Sequence, residues 1–297
     1  EKENYVSLTK NLLLKDFDLD KEDSKIELTR TSSQLYRVDL TEIREGEYVP
    51  EYRKENNIVK EAFVKYISTL SPEGKIDQIS KRLTKLIKKV DEIALPQITA
   101  YIKKVLEPLD SEKIAEIANN ELIYSDVFKT KIKELSTKYA QENFIKMLDK
   151  GKVVCKPTFK FSKSIQPKNT LQGITKNLYI EEGEMNDFEK KVINEIANLD
   201  SVVFWHRNLE RGKGFELNGF INHYPDFIVK MKNGKIIVIE TKGDHLDGSD
   251  SQNKLNLGQK WASKAGDEYR YFMVFESKKL DGAKTIPEIL DILSGMK

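Results

Sequence analysis

Residues 181–297 are predicted to form a mixed α/β unit, preceded by a mostly helical spacer with some strands near the N-terminus. The α/β prediction rests on an alternation of helical and strand periodicity after residue 181, and on two apolar strands joined at Asn233-Gly234. The helical prediction rests on apolar residues that recur every three or four positions. The predicted segments are a β-containing N-terminal segment, a helical spacer domain, a connector and the α/β unit, at 1–58, 59–150, 151–180 and 181–297.

The first half of the chain is predicted to form strands followed by helices. β-Branched and aromatic residues alternate roughly within residues 24–43, which predicts two or three strands in segment 1–58. One apolar stripe marks the helical segment and is formed by Ile76, Ile79, Leu83, Leu86, Val90 and Ile93. Pro96 is expected to end or kink this helix, and Ser111 is a candidate N-cap for a later helix.

Residues 151–180 read as a connector or irregular strand region, because they hold two prolines, two glycines and few acids. After residue 181 the predicted order is helix, strand, strand, strand, helix, strand. The helices are expected at about 185–199 and 252–265, and the strands at about 201–206, 224–231, 235–242 and 269–275.

Composition excludes several classes of protein. No apolar run approaches the roughly 18 residues of a membrane span, so we expect a soluble, cytoplasmic protein with no membrane partner. The lone Cys155 rules out an internal disulfide and multi-cysteine zinc sites, and it is a poor candidate nucleophile. No P-loop motif occurs, so ATP binding through such a loop is not expected. Because the first residue is Glu1 and not methionine, we expect a piece of a longer protein.

The predicted hairpin carries charges at the end where its strands come back together. Its second strand, residues 235–242, is apolar on both faces, which is typical of a strand covered on both sides. Glu240 and Lys242 are two residues apart and therefore share a face at the end of this strand. Charged groups are rarely buried without partners, so the charges of Glu240 and Lys242 must be balanced by groups of opposite charge or by hydrogen bonds.

The hairpin turn decides where Asp226 lies relative to Glu240. A two-residue loop at 233–234 would place the two carboxylates on opposite faces of the sheet. A three-residue loop at 232–234, with its glycine left-handed in a bulge, would place them directly opposite each other. Both turns suit Asn-Gly. We predict the three-residue loop, because a divalent cation between the carboxylates would convert their repulsion into binding.

These residues resemble a known family. Pro225-Asp226, followed 14 residues later by Glu240-Thr241-Lys242, resembles the PD-(D/E)xK nuclease motif. The surroundings are similar to the C-terminal endonuclease domain of type III restriction enzymes, in the stretches FWHRN at 204–208, YPDFIV at 224–229, VIETKGDHL at 238–246, and KWASKAG before the strand YRYFMVF. The resemblance covers about residues 181–280 and implies a restriction-endonuclease-like core.

The resemblance implies Mg²⁺-dependent endonucleolytic hydrolysis of double-stranded DNA, with Mn²⁺ able to substitute. Asp226 and Glu240 would hold the metal with the backbone carbonyl of Thr241, and Lys242 would sit beside the attacking water. The partners it implies are a helicase motor in the parent chain and a modification methyltransferase subunit. ATP would act only in that motor.

Glu189 is a further candidate for catalysis or metal binding, since this family often supplies an acid from the first helix. On a helical projection, Glu189 falls inside the apolar arc formed by Met185, Phe188, Val192, Ile193, Ile196 and Leu199. A carboxylate on the core face of a helix requires a charged or hydrogen-bonding partner. The alternative is an acid at the core rim that reaches solvent.

Other residues are candidates for contacts with substrate. In the second helix, Gln259 is predicted to face inward and reach substrate or order water, and Lys254 could do the same. The predicted phosphate contacts are those of the basic loop, Arg207, Asn208, Arg211 and Lys213. His223 lies three residues before Asp226 and could contact the site, although a structural or surface role is favoured.

Two rival functions remain open at this point. One is a catalytically silent module that keeps the nuclease fold and docks the motor to its partner or to DNA. The other is a nuclease of the same fold used in DNA repair.

Overall fold

The computed structural model describes residues 8–28, 37–38, 52–53, 57–153, 155, 160–171, 173–209, 213–246, 248–277 and 280–296. Within these ranges, the search for helices with the length and hydropathy needed to cross a lipid bilayer found none.

The chain divides into two compact units. One comprises residues 1–13 and 141–297, and the other comprises residues 14–140. This division differs from the predicted segments, because the predicted connector belongs to the same unit as the predicted α/β segment.

The unit formed by residues 14–140 is mainly helical. A two-residue antiparallel pair joins Arg37–Val38 (β1), which lies in the stretch predicted to form strands, to Tyr52–Arg53 (β2). Residues 24–28 of that stretch form no strand, which contradicts the prediction there, and residues 29–36 and 39–43 fall outside the described residues. The helices that follow are Asn57–Ser68 (α2), Pro72–Ile87 (α3), Leu95–Leu106 (α4), Ser111–Asn119 (α5) and Glu121–Asp149 (α6), whose last turns belong to the other unit. A short helix, Lys10–Leu13 (α1), precedes them in the chain.

Three helix boundaries in this unit correct the sequence predictions. The apolar stripe is interrupted because α3 ends at Ile87 and Lys88 adopts a positive φ of 63°. Pro96 lies in the first turn of α4, where its missing N–H costs nothing, so it starts a helix instead of ending one. The N-cap of α5 is Asp110 and not Ser111, since the Asp110 side chain accepts a hydrogen bond from the backbone of Lys113.

The other unit is mixed α/β. Its larger elements are Asp187–Ala197 (α7), Val202–Arg207 (β5), Phe227–Met231 (β8), Ile236–Lys242 (β9), Ser249–Ala265 (α8), Tyr269–Phe275 (β10) and Ile286–Gly295 (α9). Its short strands are Thr170–Leu171 (β3), Glu182–Gly183 (β4), Leu217–Asn218 (β6), Asn222–His223 (β7) and Lys284–Thr285 (β11). Among the larger elements after residue 181, the predicted order of helix, strand, strand, strand, helix, strand is confirmed, whereas the short strands β4, β6 and β7 were not predicted. The C-terminal β11 and α9 were not predicted.

A five-stranded mixed sheet organises this unit, in the order β11-β10-β9-β8-β5. Strand β8 pairs antiparallel with both β5 and β9, and β10 pairs parallel with both β9 and β11. A mixed α/β fold is therefore confirmed, with β9 in the centre of the sheet.

Helices cover both faces of the sheet, as the apolar character of β9 predicts. Helices α7 and α9 share one hydrophobic core with Phe227, Val229, Ile237 and Ile239. Helix α8 packs on β10, and a Cβ at Gly258 would lie only 2.3 Å from the ring of Tyr271. This close approach positions α8 beside the charged end of β9.

Candidate active site

The hairpin between β8 and β9 turns through a three-residue loop. The N–H of Met231 donates to the carbonyl of Lys235 at 2.9 Å, and the N–H of Gly234 donates to the carbonyl of Met231 at 3.0 Å. Gly234 has a φ of 86°, which is the left-handed conformation that this loop needs. The predicted three-residue loop over residues 232–234 is thus confirmed.

This register brings the two acids together. Phe227 pairs with Ile239, so the next step along the ladder sets Asp226 opposite Glu240. The N–H of Asn208 donates to the Asp226 carbonyl at 2.9 Å, so Asp226 also continues the pairing of β8 with β5. The negative charge of Asp226 raises the pKa of Glu240, as expected for carboxylates that are close together.

The carboxylate of Asp226 is held from two sides. Its Oδ2 accepts hydrogen bonds from the N–H and the hydroxyl of Thr241, both at 2.7 Å. Its Oδ1 accepts a hydrogen bond of 2.9 Å from Nη1 of Arg207. Thr241 therefore fixes the orientation of Asp226. The role predicted for the Thr241 carbonyl as a metal ligand stays a prediction.

Glu240 is a buried acid with one engaged and one unpartnered oxygen. Its Oε1 lies 2.7 Å from Nζ of Lys242 and 3.8 Å from Nζ of Lys254. Its Oε2 is buried and has no hydrogen-bond partner among the described residues. Burial, together with the charge of Asp226, raises the pKa of Glu240 to about 8 against the pull of Lys242. A buried acceptor without a partner is costly, so this oxygen is a place where a cation would be stabilising.

Lys242 is positively charged in this setting. Burial alone would lower the pKa of Lys242, but the nearby carboxylates of Glu240 and Asp226 outweigh burial and raise it. Lys254 of α8 brings a second ammonium group to the same carboxylate and also pairs with Asp250 at 3.2 Å. Lys254 thus lies beside Glu240. Its contact with substrate stays a prediction.

Glu189 lies at the edge of this cluster and has a structural role. It forms a capping box with Asn186, whose N–H donates to Glu189 Oε2 at 3.0 Å. The same Oε2 lies 3.2 Å from Nη2 of Arg207. Burial raises the pKa of Glu189, while Arg207 lowers it. Arg207 thus bridges Glu189 and Asp226. The role of Glu189 as a metal ligand stays a prediction.

One of the predicted phosphate contacts needs correction, and the one predicted for Arg207 stays a prediction. Asn208 is buried, and its amide donates to the carbonyls of Phe215 and Pro225 at 2.8 Å each. Both amide hydrogens are used in the loop, which argues against a phosphate contact. Arg207 is turned toward carboxylates, with its side chain only 16% exposed.

The prediction that Gln259 faces inward is wrong. Gln259 is exposed and donates to the carbonyl of Gly282 at 3.5 Å. The buried face of α8 is instead marked by Leu255, Gly258 and Trp261. Gln259 therefore lies on the outer surface of α8, the helix that also carries Lys254, and faces away from the carboxylates.

The rest of the predicted basic loop is only partly described. Lys213 is exposed, as a phosphate-binding residue would be. Arg211 falls outside the described residues. Phosphate contacts by both residues stay predictions.

Sequence reasoning missed a buried polar pair behind Glu240. His223 Nε2 lies 3.0 Å from the hydroxyl of Tyr271 and 3.9 Å from Oε2 of Glu240. Burial, reinforced by Lys254 and Lys242, lowers the pKa of His223 well below its ordinary value, so the ring is neutral. In the sequence, Tyr271 was interpreted only as one residue of an apolar strand. The alternation of side chains along β10 could have placed Tyr271 on the same face as Glu240, since Tyr271 pairs with Val238, which lies two residues before Glu240.

Cys155 takes no part in the cluster. Its side chain is partly buried, and burial raises the pKa of the thiol to about 12. A thiol that stays protonated is a weak nucleophile, in agreement with the sequence-based expectation.

No family model, curated protein or solved structure matches this chain. The site must therefore be judged from its own geometry.

The donor set fits a divalent cation in part. Asp226 and Glu240 supply hard carboxylate oxygens, and the buried Oε2 of Glu240 lacks a partner among the described residues. In the same part of the chain, no group of three or more His, Cys, Asp or Glu side chains is arranged to hold a metal ion. The arrangement offers two acidic ligands from the protein, so any further ligands would be backbone, water or substrate oxygens.

Proposed function

We propose that residues 181–297 form a Mg²⁺-dependent DNA endonuclease domain that hydrolyses phosphodiester bonds, with a restriction-endonuclease-like core. The observation that carries the proposal is the convergence of Asp226, Glu240 and Lys242 at the open end of one hairpin. Their order and spacing are those of the PD-(D/E)xK motif, and the confirmed hairpin register makes the two acids neighbours.

Asp226 and Glu240 would hold the metal ion, joined by the backbone carbonyl of Thr241 as the family resemblance implies. A bound Mg²⁺ would polarise the phosphate and offset the negative charge that builds during hydrolysis. Thr241 supports this role because its N–H and hydroxyl orient the Asp226 carboxylate.

Lys242 would act next to the reacting phosphate. Its ammonium group stays charged and is fixed by Glu240 Oε1, so it can orient a water molecule and stabilise developing negative charge. Lys254 provides a second ammonium group in reach of the same region, suited to a DNA phosphate.

The biological setting is also a proposal and follows from the family resemblance. The domain would be the nuclease part of a type III restriction enzyme that cuts double-stranded DNA. An ATP-driven helicase motor in the parent chain and a methyltransferase subunit that reads sequence would control it.

A second function is a silent nuclease-fold module that docks DNA or a partner. It is favoured by the basic side chains that already contact both acids, Arg207 at Asp226 and Lys242 at Glu240. The lack of a three-acid metal group among the described residues favours it too.

Plasmid nicking separates the two functions. The chain is incubated with supercoiled plasmid in Mg²⁺, in Mn²⁺ and in EDTA, and the open-circular product is measured. We expect metal-dependent nicking, and a loss of at least about 100-fold for Asp226→Asn because a metal ligand is removed.

The matched control is Glu276→Gln, which neutralises an exposed acid whose ion-pair partner among the described residues is Lys191, at 3.6 Å. It should nick like the unaltered chain. Equal nicking by the unaltered chain and by Asp226→Asn would reject the enzyme in favour of the silent module.

A further inference from the structure

Arg207 occupies the space between two acids of the proposed site. Its Nη1 donates to Asp226 Oδ1 at 2.9 Å, and its Nη2 lies 3.2 Å from Glu189 Oε2. The guanidinium also stands over the ring of Phe227, 5.2 Å from the ring centroid. Arg207 is the last residue of β5, so the sheet holds it in place.

The charge of Arg207 is permanent in this position. Burial alone would lower the pKa of the guanidinium, but the carboxylates of Asp226 and Glu189 outweigh burial and raise it. A positive charge within hydrogen-bond distance of a ligand carboxylate repels a divalent ion from that carboxylate. The guanidinium also takes up an oxygen of Asp226 that a metal would use.

We propose that Arg207 competes with the divalent ion for Asp226 and Glu189, and so weakens metal binding while DNA is absent. The inference rests on the proposed function, since it assumes that Asp226 and Glu240 are metal ligands. It accounts for a feature of the site: three acids approach one another, yet the described residues contain no three-acid metal group.

The competition has a consequence for DNA binding. Guanidinium groups bind phosphates as readily as carboxylates, through the same paired donors. A DNA phosphate near the hairpin is therefore an anion that can draw Arg207 away from Asp226. The phosphate contact predicted for Arg207 and its observed carboxylate contacts then belong to two states of one side chain.

Mn²⁺ binding to the DNA-free chain tests the competition. Isothermal titration calorimetry with Mn²⁺ alone compares the unaltered chain with Arg207→Met. Removing one positive charge beside the ligands is expected to lower the Kd for Mn²⁺ by about tenfold or more. Arg207→Lys keeps the charge, so its Kd should stay within about threefold of the unaltered value.

The control variant is Arg270→Met. Arg270 donates to the backbone carbonyls of Asp267 and Tyr269, and its replacement changes net charge by the same amount. It should leave the Kd for Mn²⁺ unchanged. Should Arg207→Met fail to fold by circular dichroism, Arg207→Gln replaces it and is expected to lower the Kd for Mn²⁺ as well, since it removes the positive charge that repels the ion.

A further variant shows whether Glu189 joins the metal site once Arg207 is gone. Glu189→Gln keeps the capping box, because glutamine accepts the same hydrogen bond, but it loses the charge. Added to Arg207→Met, it should reverse part of the gain in affinity. A double variant that binds Mn²⁺ as tightly as Arg207→Met would remove Glu189 from the proposal.

The outcomes separate the inference from the proposed function. If Mn²⁺ binds neither the unaltered chain nor a folded Arg207 variant, the metal site and the proposed function both fail. If Mn²⁺ binding depends on Asp226 but is no tighter in Arg207→Met, the competition alone is overturned.

Discussion

Replacing Lys242 with methionine is expected to lower DNA nicking by at least about 100-fold while Mn²⁺ still binds. The ammonium group lies 2.7 Å from Glu240 Oε1, where it can act on water or phosphate without being a metal ligand itself. Methionine is similar in length and removes only the charged group. The loss should therefore fall on kcat and leave the metal affinity within about tenfold of the unaltered value.

The measurement pairs a nicking assay with Mn²⁺ calorimetry on the same preparation. Lys191→Met is the matched control, because Lys191 is exposed and, among the described residues, its ion-pair partner is the equally exposed Glu276. Retention of full nicking by Lys242→Met would remove Lys242 from the reaction. Loss of Mn²⁺ binding together with nicking would make Lys242 an organiser of Glu240 and not a catalytic residue.

Replacing Glu240 with glutamine is expected to abolish Mn²⁺ binding and yet stabilise the metal-free chain at alkaline pH. Burial and Asp226 raise the pKa of Glu240 from an ordinary 4.5 to about 8. Between these values the folded chain holds a proton that the unfolded chain has released. The free energy of unfolding therefore falls as pH rises, by up to about 1.4 kcal/mol per pH unit.

Glutamine has no charge to bury, so its contribution does not change over this pH range. Thermal melts in EDTA from pH 5 to pH 8 should show the stability of Glu240→Gln gaining on that of the unaltered chain. Glu276→Gln, an exposed substitution, should follow the unaltered chain at every pH. Parallel curves for Glu240→Gln and the unaltered chain would mean that Glu240 is fully ionised when folded, with Lys242 as its sufficient partner.

The hairpin was the most predictable part of the site. A single glycine in the left-handed conformation, Gly234, fixes the loop length, and the period of two along each strand then sets Asp226 opposite Glu240. Asn-Gly alone allows two loops. The three-residue loop was favoured because a divalent cation between the two carboxylates would turn their repulsion into binding.

Helix faces were less predictable than strand register. Glu189 was placed on the inner side of α7 correctly, because apolar residues at helical spacing, Phe188, Val192, Ile193 and Ile196, define that face. Gln259 was misplaced because α8 buries small residues such as Ser251 and Gly258, which carry little apolar signal. The close contact of Gly258 with Tyr271 sets that face, and it depends on a strand that is remote in sequence.

The partners of charged side chains could not be deduced from local sequence. Arg207 was assigned to phosphate because it is basic and lies near a loop, whereas β5 and β8 bring it against Asp226. Pairing across a sheet depends on tertiary register that a motif does not contain. For the same reason His223 and Tyr271, 48 residues apart, were not recognised as a pair.

A crystal of the chain grown or soaked with Mn²⁺ tests the central claim most directly. Anomalous scattering locates manganese independently of the protein chemistry around it. We expect one strong anomalous peak from a manganese ion bonded to carboxylate oxygens of both Asp226 and Glu240. Saturating Mn²⁺ that leaves no peak between these two residues, with Asp226 still bound to Arg207, would contradict it.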